Sequence, residues 1–312
     1  MNKNSKIYIA GHTGLAGSAI TRLLKKKGYI NLVLKTHEEL DLLDQKKTFD
    51  FFEYEKPEYV FVAAARVGGI MANKTMPGSF IYENAQIECN IIEGSRRTSV
   101  KKLLFLGSSC IYPRLARQPI IETALLSGEL EPTNQAYGVA KIAGIVLCQS
   151  YNQQYGTNFI SVMPTNLYGP NDNFDPQNSH VIAGLFNKFH KAKTEKVKSV
   201  TLWGTGSPVR EFLHSDDLAR ACLFLMKKYN SKEIINIGTG KGVTIKKLSV
   251  EISKVVGFKG KIIWDTTKPD GMPKRFLDVS KLNKIGWKYK IDLRKGLTET
   301  YRWYLRNLNT DL

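Results

Sequence analysis

The sequence predicts an α/β protein: a doubly wound parallel sheet with a smaller C-terminal α/β lobe. Three observations carry that reading. Short, almost wholly apolar runs alternate with amphipathic stretches over the first 165 or so residues of a 312-residue chain. A glycine-rich turn follows the first apolar run. The texture then changes after Pro164, where residues 169–180 are dense in Asn, Asp, Gly and Pro. Strands that are apolar throughout are covered on both faces, which requires helices between them and a parallel sheet.

The elements read in order. Ile7-Tyr8-Ile9-Ala10 is the first strand. The helix after it places Ala19, Ile20, Leu23 and Leu24 on one face and Arg22, Lys25 and Lys26 on the other. Leu32–Leu34, Tyr59–Ala65, Leu103–Leu106 and Phe159–Met163 read as the next four strands. Beyond the loop-rich stretch come short strands at Val200–Trp203, Ile234–Ile237 and Lys261–Trp264, and a last helix from Asp292 to about Asn307. The segment 215–238 is expected to return to the main sheet. The expected division is therefore residues 1–168 with 215–238, and residues 169–214 with 239–312.

Composition excludes several classes. At 42% hydrophobic and 24% charged residues the chain is an ordinary globular one. No apolar run reaches the length of a membrane span, and Met1–Lys6 runs into a strand with no signal peptide expected. The 46 Lys and Arg against 28 Asp and Glu leave a formal charge of +18. The lysines are dispersed in pairs and triplets, as in Lys25–Lys27, which reads as solvated surface and not as a nucleic-acid or membrane site. Cys89, Cys110, Cys148 and Cys222 show no metal or disulfide spacing, nor do the histidines, so free thiols, a cytoplasmic setting and no metal are expected.

Gly11-His12-Thr13-Gly14-Leu15-Ala16-Gly17 joins the first strand to the first helix. Glycines there let the chain turn tightly and approach a pyrophosphate seated on helix N-terminal amides, the Rossmann device for a dinucleotide. The spacing is GxxGxxG, a weak signal alone; its place between strand and helix is what supports it. Some twenty residues on, Lys35-Thr36-His37 stands where an NAD enzyme has a carboxylate on the ribose. A basic or polar stretch there suits a 2′-phosphate, hence NADP(H). Asp44 is either near the adenine or a helix cap.

Gly107-Ser108-Ser109-Cys110 closes the fourth strand after Leu106, and Tyr137 and Lys141, four apart, share a face of the next long helix. An ammonium beside a phenol makes it a usable proton donor, and a serine hydroxyl holds a carbonyl against it. Ser, Tyr and Lys so spaced behind a glycine turn read as a ketone-reducing site. An exposed i,i+4 pair is the bland alternative for Tyr137 and Lys141. A packed thiol and a helix-capping histidine are the bland alternatives for Cys110 and His180.

These residues resemble the extended short-chain dehydrogenase/reductases and, more narrowly, the GDP-L-fucose synthase family. The stretches that carry the narrower resemblance are Ala63–Ile70, Leu103–Pro113, Glu131–Asn134, Met163–Gly169, Asn178–Ile182, Arg210–His214 and Lys268–Gly271. The resemblance spans essentially the whole chain. It implies NADPH-dependent reduction of the C4 ketone of a GDP-4-keto sugar, with C3/C5 epimerisation beforehand, in a homodimer. Ser108, Tyr137 and Lys141 become the reductase triad, and Cys110 and His180 the epimerisation pair. Ala63, Ala64, Leu106, Gly107, Pro164, Asn166 and Leu167 join the glycine turn around the cofactor. Ser109, Asn166, Val181, Lys188, Trp203, Arg210 and Asp270 take the GDP-sugar. Thr13 and His37 stand where the family often has Arg, Lys188 where an Arg is expected, and Gly138 where Ala is. Those departures admit a C4 reductase of a GDP-4-keto-heptose, for a bacterial surface polysaccharide, without epimerisation. Other classes are an epimerase or dehydratase with tightly held NAD, or a non-catalytic dinucleotide sensor.

Overall fold

The computed structural model describes residues 1–175 and 179–308; Asn178 of the quoted motif lies outside them. In chain order the elements are β1 (Ile7–Ala10), α1 (Leu15–Lys26), β2 (Leu32–Val33), α2 (Gln45–Glu55), β3 (Tyr59–Val62), α3 (Ile70–Thr75), α4 (Pro77–Arg97), β4 (Lys102–Leu106), α5 (Gln135–Tyr155), β5 (Phe159–Pro164) and β6 (Asn166–Tyr168). Then come α6 (Val181–Thr194), β7 (Ser199–Trp203), β8 (Val209–His214), α7 (Ser215–Lys228), β9 (Ile235–Ile237), β10 (Gly242–Thr244), α8 (Ile245–Val256), β11 (Lys261–Asp265), β12 (Lys274–Arg275), α9 (Ser280–Lys284) and α10 (Leu293–Asn307).

The main sheet runs β2-β1-β3-β4-β5-β9 with every pair parallel. Its two faces follow from the period-two alternation of a strand. Ile7 and Ile9 pack with Ile20 and Leu24 of α1 and with Leu218 and Leu225 of α7. Tyr8 and Ala10 pack on the other side with Phe52, Ile91 and Ile145 of α2, α4 and α5. All four residues of β1 are buried, so the apolar run is explained by helices on both faces. The segment beginning at Ser215 does return: α7 packs beside α1 and β9 pairs with β5 at the sheet edge. The strand order reverses at β1 and β3, and the crevice outside their C-terminal ends is where such sheets bind ligands.

A second core gathers Phe186 and Phe189 of α6, Leu248 and Ile252 of α8, and Leu297 and Tyr301 of α10. Its strands are short: β8 lies between β10 and β12 and also pairs with β6, while β7 pairs with β11. The third strand stops at Val62 and does not extend to Ala65. The chain leaves the sheet there, after a last Ala63 N–H to Ala10 O bond of 3.0 Å, and passes over the glycine turn. The final helix starts one residue late because Asp292 is its cap, accepting from Lys295 N–H at 3.0 Å.

Candidate active site

The glycine turn is built for close approach. Gly11 has φ +78°, and a Cβ there would lie 2.6 Å from the Ala64 backbone nitrogen. A Cβ on Gly17 would overlap the Gly11 carbonyl oxygen. Gly14 occupies the N-cap of α1 with no side chain capping it, and the first turn carries no acidic residue. The first amides of a helix have no partner within it, so these remain for an anion. Thr13 and Gly14 are exposed at the turn and Leu15 is partly buried. His12 Nδ1 is buried without a hydrogen-bond partner. A dinucleotide fits this cradle on those grounds: close backbone, uncapped amides and a polar atom awaiting a partner.

The structure qualifies the cofactor-selecting stretch. Thr36 N–H donates to Glu39 Oε2 at 2.8 Å, Glu39 N–H donates to Thr36 Oγ1 at 3.3 Å, and Lys35 Nζ lies 3.8 Å from Glu39 Oε1. The turn thus brings a carboxylate onto a stretch that reads as basic in sequence. The Thr36 amide and hydroxyl hold the Glu39 carboxyl below its ordinary pKa, with lesser help from Lys35 and His12. His37 is exposed and 3.8 Å from Asp41. Asp44 takes the capping role, accepting from Lys47 N–H at 3.0 Å at the head of α2.

The end of β4 and the start of α5 bring the triad together. Lys141 Nζ donates to the Leu106 carbonyl at 3.1 Å and lies 4.8 Å from the Phe105 ring centroid and 5.8 Å from that of Tyr137. The Ser108 hydroxyl accepts from Cys110 N–H at 3.1 Å and lies beside the Tyr137 phenol. Removal from water pushes the Tyr137 phenol above the ordinary tyrosine range, Cys110 and Glu88 add to this, and Ser108 opposes it. Gly107 sits close against Met163: a Cβ there would stand 2.6 Å from Sδ. Ser109 is buried, at the start of a single 3₁₀ turn (Ser109–Ile111). That turn aims Cys110 at Asn134, whose Nδ2 donates to Sγ at 3.2 Å.

Two partners of the site were not singled out in the sequence. Glu88 of α4 is 1% exposed and its Oε1 stands 3.0 Å from Lys141 Nζ. Its signal was an acidic residue between Asn84 and Ile91 on a buried helix face. Asp172, in the loop after β6, is buried and its Oδ1 lies 3.3 Å from His180 Nδ1. His180 holds the N-cap position of α6, yet its side chain bonds Asp172 and does not cap the helix. That hydrogen bond raises the His180 pKa above the ordinary histidine value, against the effect of burial.

The remaining predicted residues lie in the second lobe and at its junction with the main sheet. Lys188 and Lys268 each place Nζ 6.0 Å from the Trp203 ring centroid, and Trp203 is 65% exposed. Asp270 accepts from Thr205 N–H at 2.9 Å and Thr205 Oγ1 at 2.6 Å, which hold its carboxyl below the ordinary range. Arg210 Nη1 donates to Met272 O at 2.6 Å, and burial with neighbouring Arg275 lowers its proton affinity. Asn166 is exposed at the start of β6, where its Nδ2 donates to Glu211 O at 2.9 Å; Pro164 ends β5 and Leu167 is partly buried. Val181, first residue of α6, is 39% exposed.

A parallel sheet with a glycine cradle at its switch point and Ser, Tyr and Lys beside it defines a dinucleotide-dependent enzyme. Residues 7–238 match the family model described as the NAD dependent epimerase/dehydratase family, and the chain belongs to that family, in its GDP-L-fucose synthase branch. It is 57% identical to GDP-L-fucose synthase 1 of Arabidopsis thaliana, over 98% of this chain and 95% of the relative. It is 52% identical to GDP-L-fucose synthase of Escherichia coli (strain K12), over 97% of each. Among solved structures it resembles MlghC, a GDP-mannoheptose C4 reductase from Campylobacter jejuni with NADP bound. There the TM-score is 0.90 and the identity 43%, over 98% of this chain and 99% of that one.

Proposed function

We propose that this protein reduces the C4 ketone of a GDP-4-keto sugar with NADPH, after epimerising C3 and C5. The observation that supports it most is the Ser108–Tyr137–Lys141 cluster at the end of β4, next to an uncapped glycine turn. Residues 1–168 and 215–238 take the dinucleotide; residues 169–214 and 239–312 take the GDP-sugar. Gly11–Gly17, Lys35–His37, Ala63, Ala64, Leu106, Gly107 and Pro164–Leu167 would hold NADPH. When bound, the reduced nicotinamide supplies the hydride. Ser108 holds the C4 oxygen, Tyr137 gives it a proton, and Lys141 steadies the phenolate that results. Arg210 and Lys188 meet the diphosphate, Arg210 with the forked geometry that Lys188 lacks. The setting is cytoplasmic and the product serves surface polysaccharide.

The test supplies purified protein and NADPH with GDP-4-keto-6-deoxymannose and, separately, a GDP-4-keto-heptose. NADPH is expected to be consumed mole for mole with the preferred ketone. Dinucleotide that co-purifies in stoichiometric amount, with no net NADPH consumption, would place the protein among the epimerases that recycle their cofactor. Reaction with the heptose alone favours the C4 reductase reading.

Cofactor preference is expected to be NADPH over NADH, and Glu39 moderates it. Its carboxylate neutralises Lys35 and repels a 2′-phosphate. Glu39→Gln is expected to raise the NADPH-to-NADH ratio of kcat/KM several-fold, about the effect of one surface charge pair. An unchanged ratio would contradict this.

A homodimer is proposed through α4 and α5. Ile145 of α5 faces the core and so lies outside any such contact. Ile81 and Tyr82 of α4 and Val139 and Val146 of α5 are exposed instead. Light scattering at micromolar concentration is expected to give twice the chain mass.

A further inference from the structure

Glu88 has no part in the reading above, yet it is the closest charged group to Lys141. The pair is almost fully buried, at 1% and 2% side-chain exposure, with 3.0 Å between Oε1 and Nζ. Space for it is built in: a Cβ on Gly144, one turn beyond Lys141, would stand 2.5 Å from Glu88 Oε2. The ammonium is held on three sides, by the Glu88 carboxylate, the Leu106 carbonyl and the face of Phe105. The titratable groups that face this pair are Tyr137 and Cys148 from α5, Cys89 from α4 itself, and, through Tyr137, Cys110 from the turn after β4.

We infer that Glu88 is a positioning residue that fixes Lys141 beneath Tyr137 and cancels enough of its charge to keep Tyr137 protonated. The inference rests on the proposed role of Tyr137 as proton donor. Reduction consumes a proton at the C4 oxygen, so the donor must carry one when the ketone binds. An uncompensated ammonium in a buried site lowers the pKa of a nearby phenol and so loosens its hold on the proton it must donate. A carboxylate on the same ammonium opposes that. Burial raises the proton affinity of Glu88, and Lys141 holds it back. In the alkaline range where a tyrosine titrates, a carboxyl beside an ammonium is ionised, so the opposing charge is present where it matters. The same charge raises the affinity of Tyr137 for its proton. Removing Glu88 therefore moves Tyr137 downward in pH.

The test uses full-length protein and two readouts. The first is the alkaline limb of the pH profile of kcat/KM for ketone reduction. The second is tyrosinate absorbance of the cofactor-free protein on alkaline titration, with the matching Tyr137→Phe protein subtracted. Glu88→Gln is expected to move both to lower pH by about one unit or more, the scale of a close buried charge. Breaking a buried pair from one side destabilises, so Lys141→Met and Glu88→Gln/Lys141→Met are titrated as well. Tyr137 is expected to titrate lower in the double variant than in Lys141→Met, because the double variant lacks the Glu88 charge. A merely structural Glu88 moves neither readout. Unmoved limbs and an unmoved tyrosinate in folded protein overturn the inference. If Tyr137→Phe itself reduces the ketone at the normal rate, the reading of Tyr137 as donor has failed instead.

Discussion

Tyr137→Phe is expected to lower turnover of the ketone by two or more orders of magnitude while leaving NADPH binding intact. The size follows from the role. General acid catalysis contributes about 10²–10⁴-fold, and the substitution removes the only proton of that side chain that the C4 oxygen can receive. Ser108 remains to hold the oxygen, so the residual rate reports polarisation without donation. Phe fills the same space beside Phe80, whose ring lies 6.5 Å from that of Tyr137, so packing survives. The pH dependence has a fixed sign. Burial raises the Tyr137 pKa, so the acid form persists above the ordinary tyrosine range. Reduction should therefore stay level through neutral pH, as far as this group is concerned, and fall only when the medium becomes alkaline enough to deprotonate the phenol. Steady-state rates with NADPH fluorescence titration check both parts. A variant that turns over near the normal rate removes Tyr137 from the mechanism.

The main sheet was legible because its signals are local. Ile7–Ala10 and Leu103–Leu106 are apolar on both faces, and only a covered parallel strand explains that. The turn Gly11–Gly17 and the i,i+4 spacing of Tyr137 and Lys141 are also local, and both fell where expected. The strands of the second lobe were less legible. β6, β10 and β12 are two or three residues long, too short for a periodic pattern, and they exist because β8 gives each a partner. Side-chain pairs between distant segments were out of reach for the same reason. Glu88 meets Lys141 across 53 positions only once α4 packs on α5. Glu39 stands three residues after Thr36 in the sequence, and a turn there folds it back. His180 was legible as a helix head. The partner that decides its charge, Asp172, lies in a loop whose composition announces irregular chain and nothing more.

Epimerisation is the larger chemical claim, and deuterium tests it. A C4 ketone acidifies the protons at C3 and C5 because the carbanion spreads onto the oxygen that Ser108 and Tyr137 are proposed to hold. Inversion then needs a base on one face of the ring and an acid on the other. Cys110 is the base in this proposal, its Sγ held in place by Asn134 Nδ2, which donates to it at 3.2 Å. His180 is the acid. Its hydrogen bond to Asp172 raises its pKa, so the imidazolium survives to higher pH than an ordinary histidine and is lost as pH climbs past that raised value. In D₂O the product is expected to carry deuterium at C3 and C5, read by mass and by proton NMR. Cys110→Ser is expected to cut that label about 100-fold or more, the scale of a lost general base, while C4 reduction of a ketone already epimerised continues. Asp172→Asn removes the charge that supports His180, so labelling should begin to fail at lower pH than in the unaltered protein. Product without deuterium at either carbon would make this protein a reductase alone, with the inversion supplied by a separate enzyme acting on the same ketone.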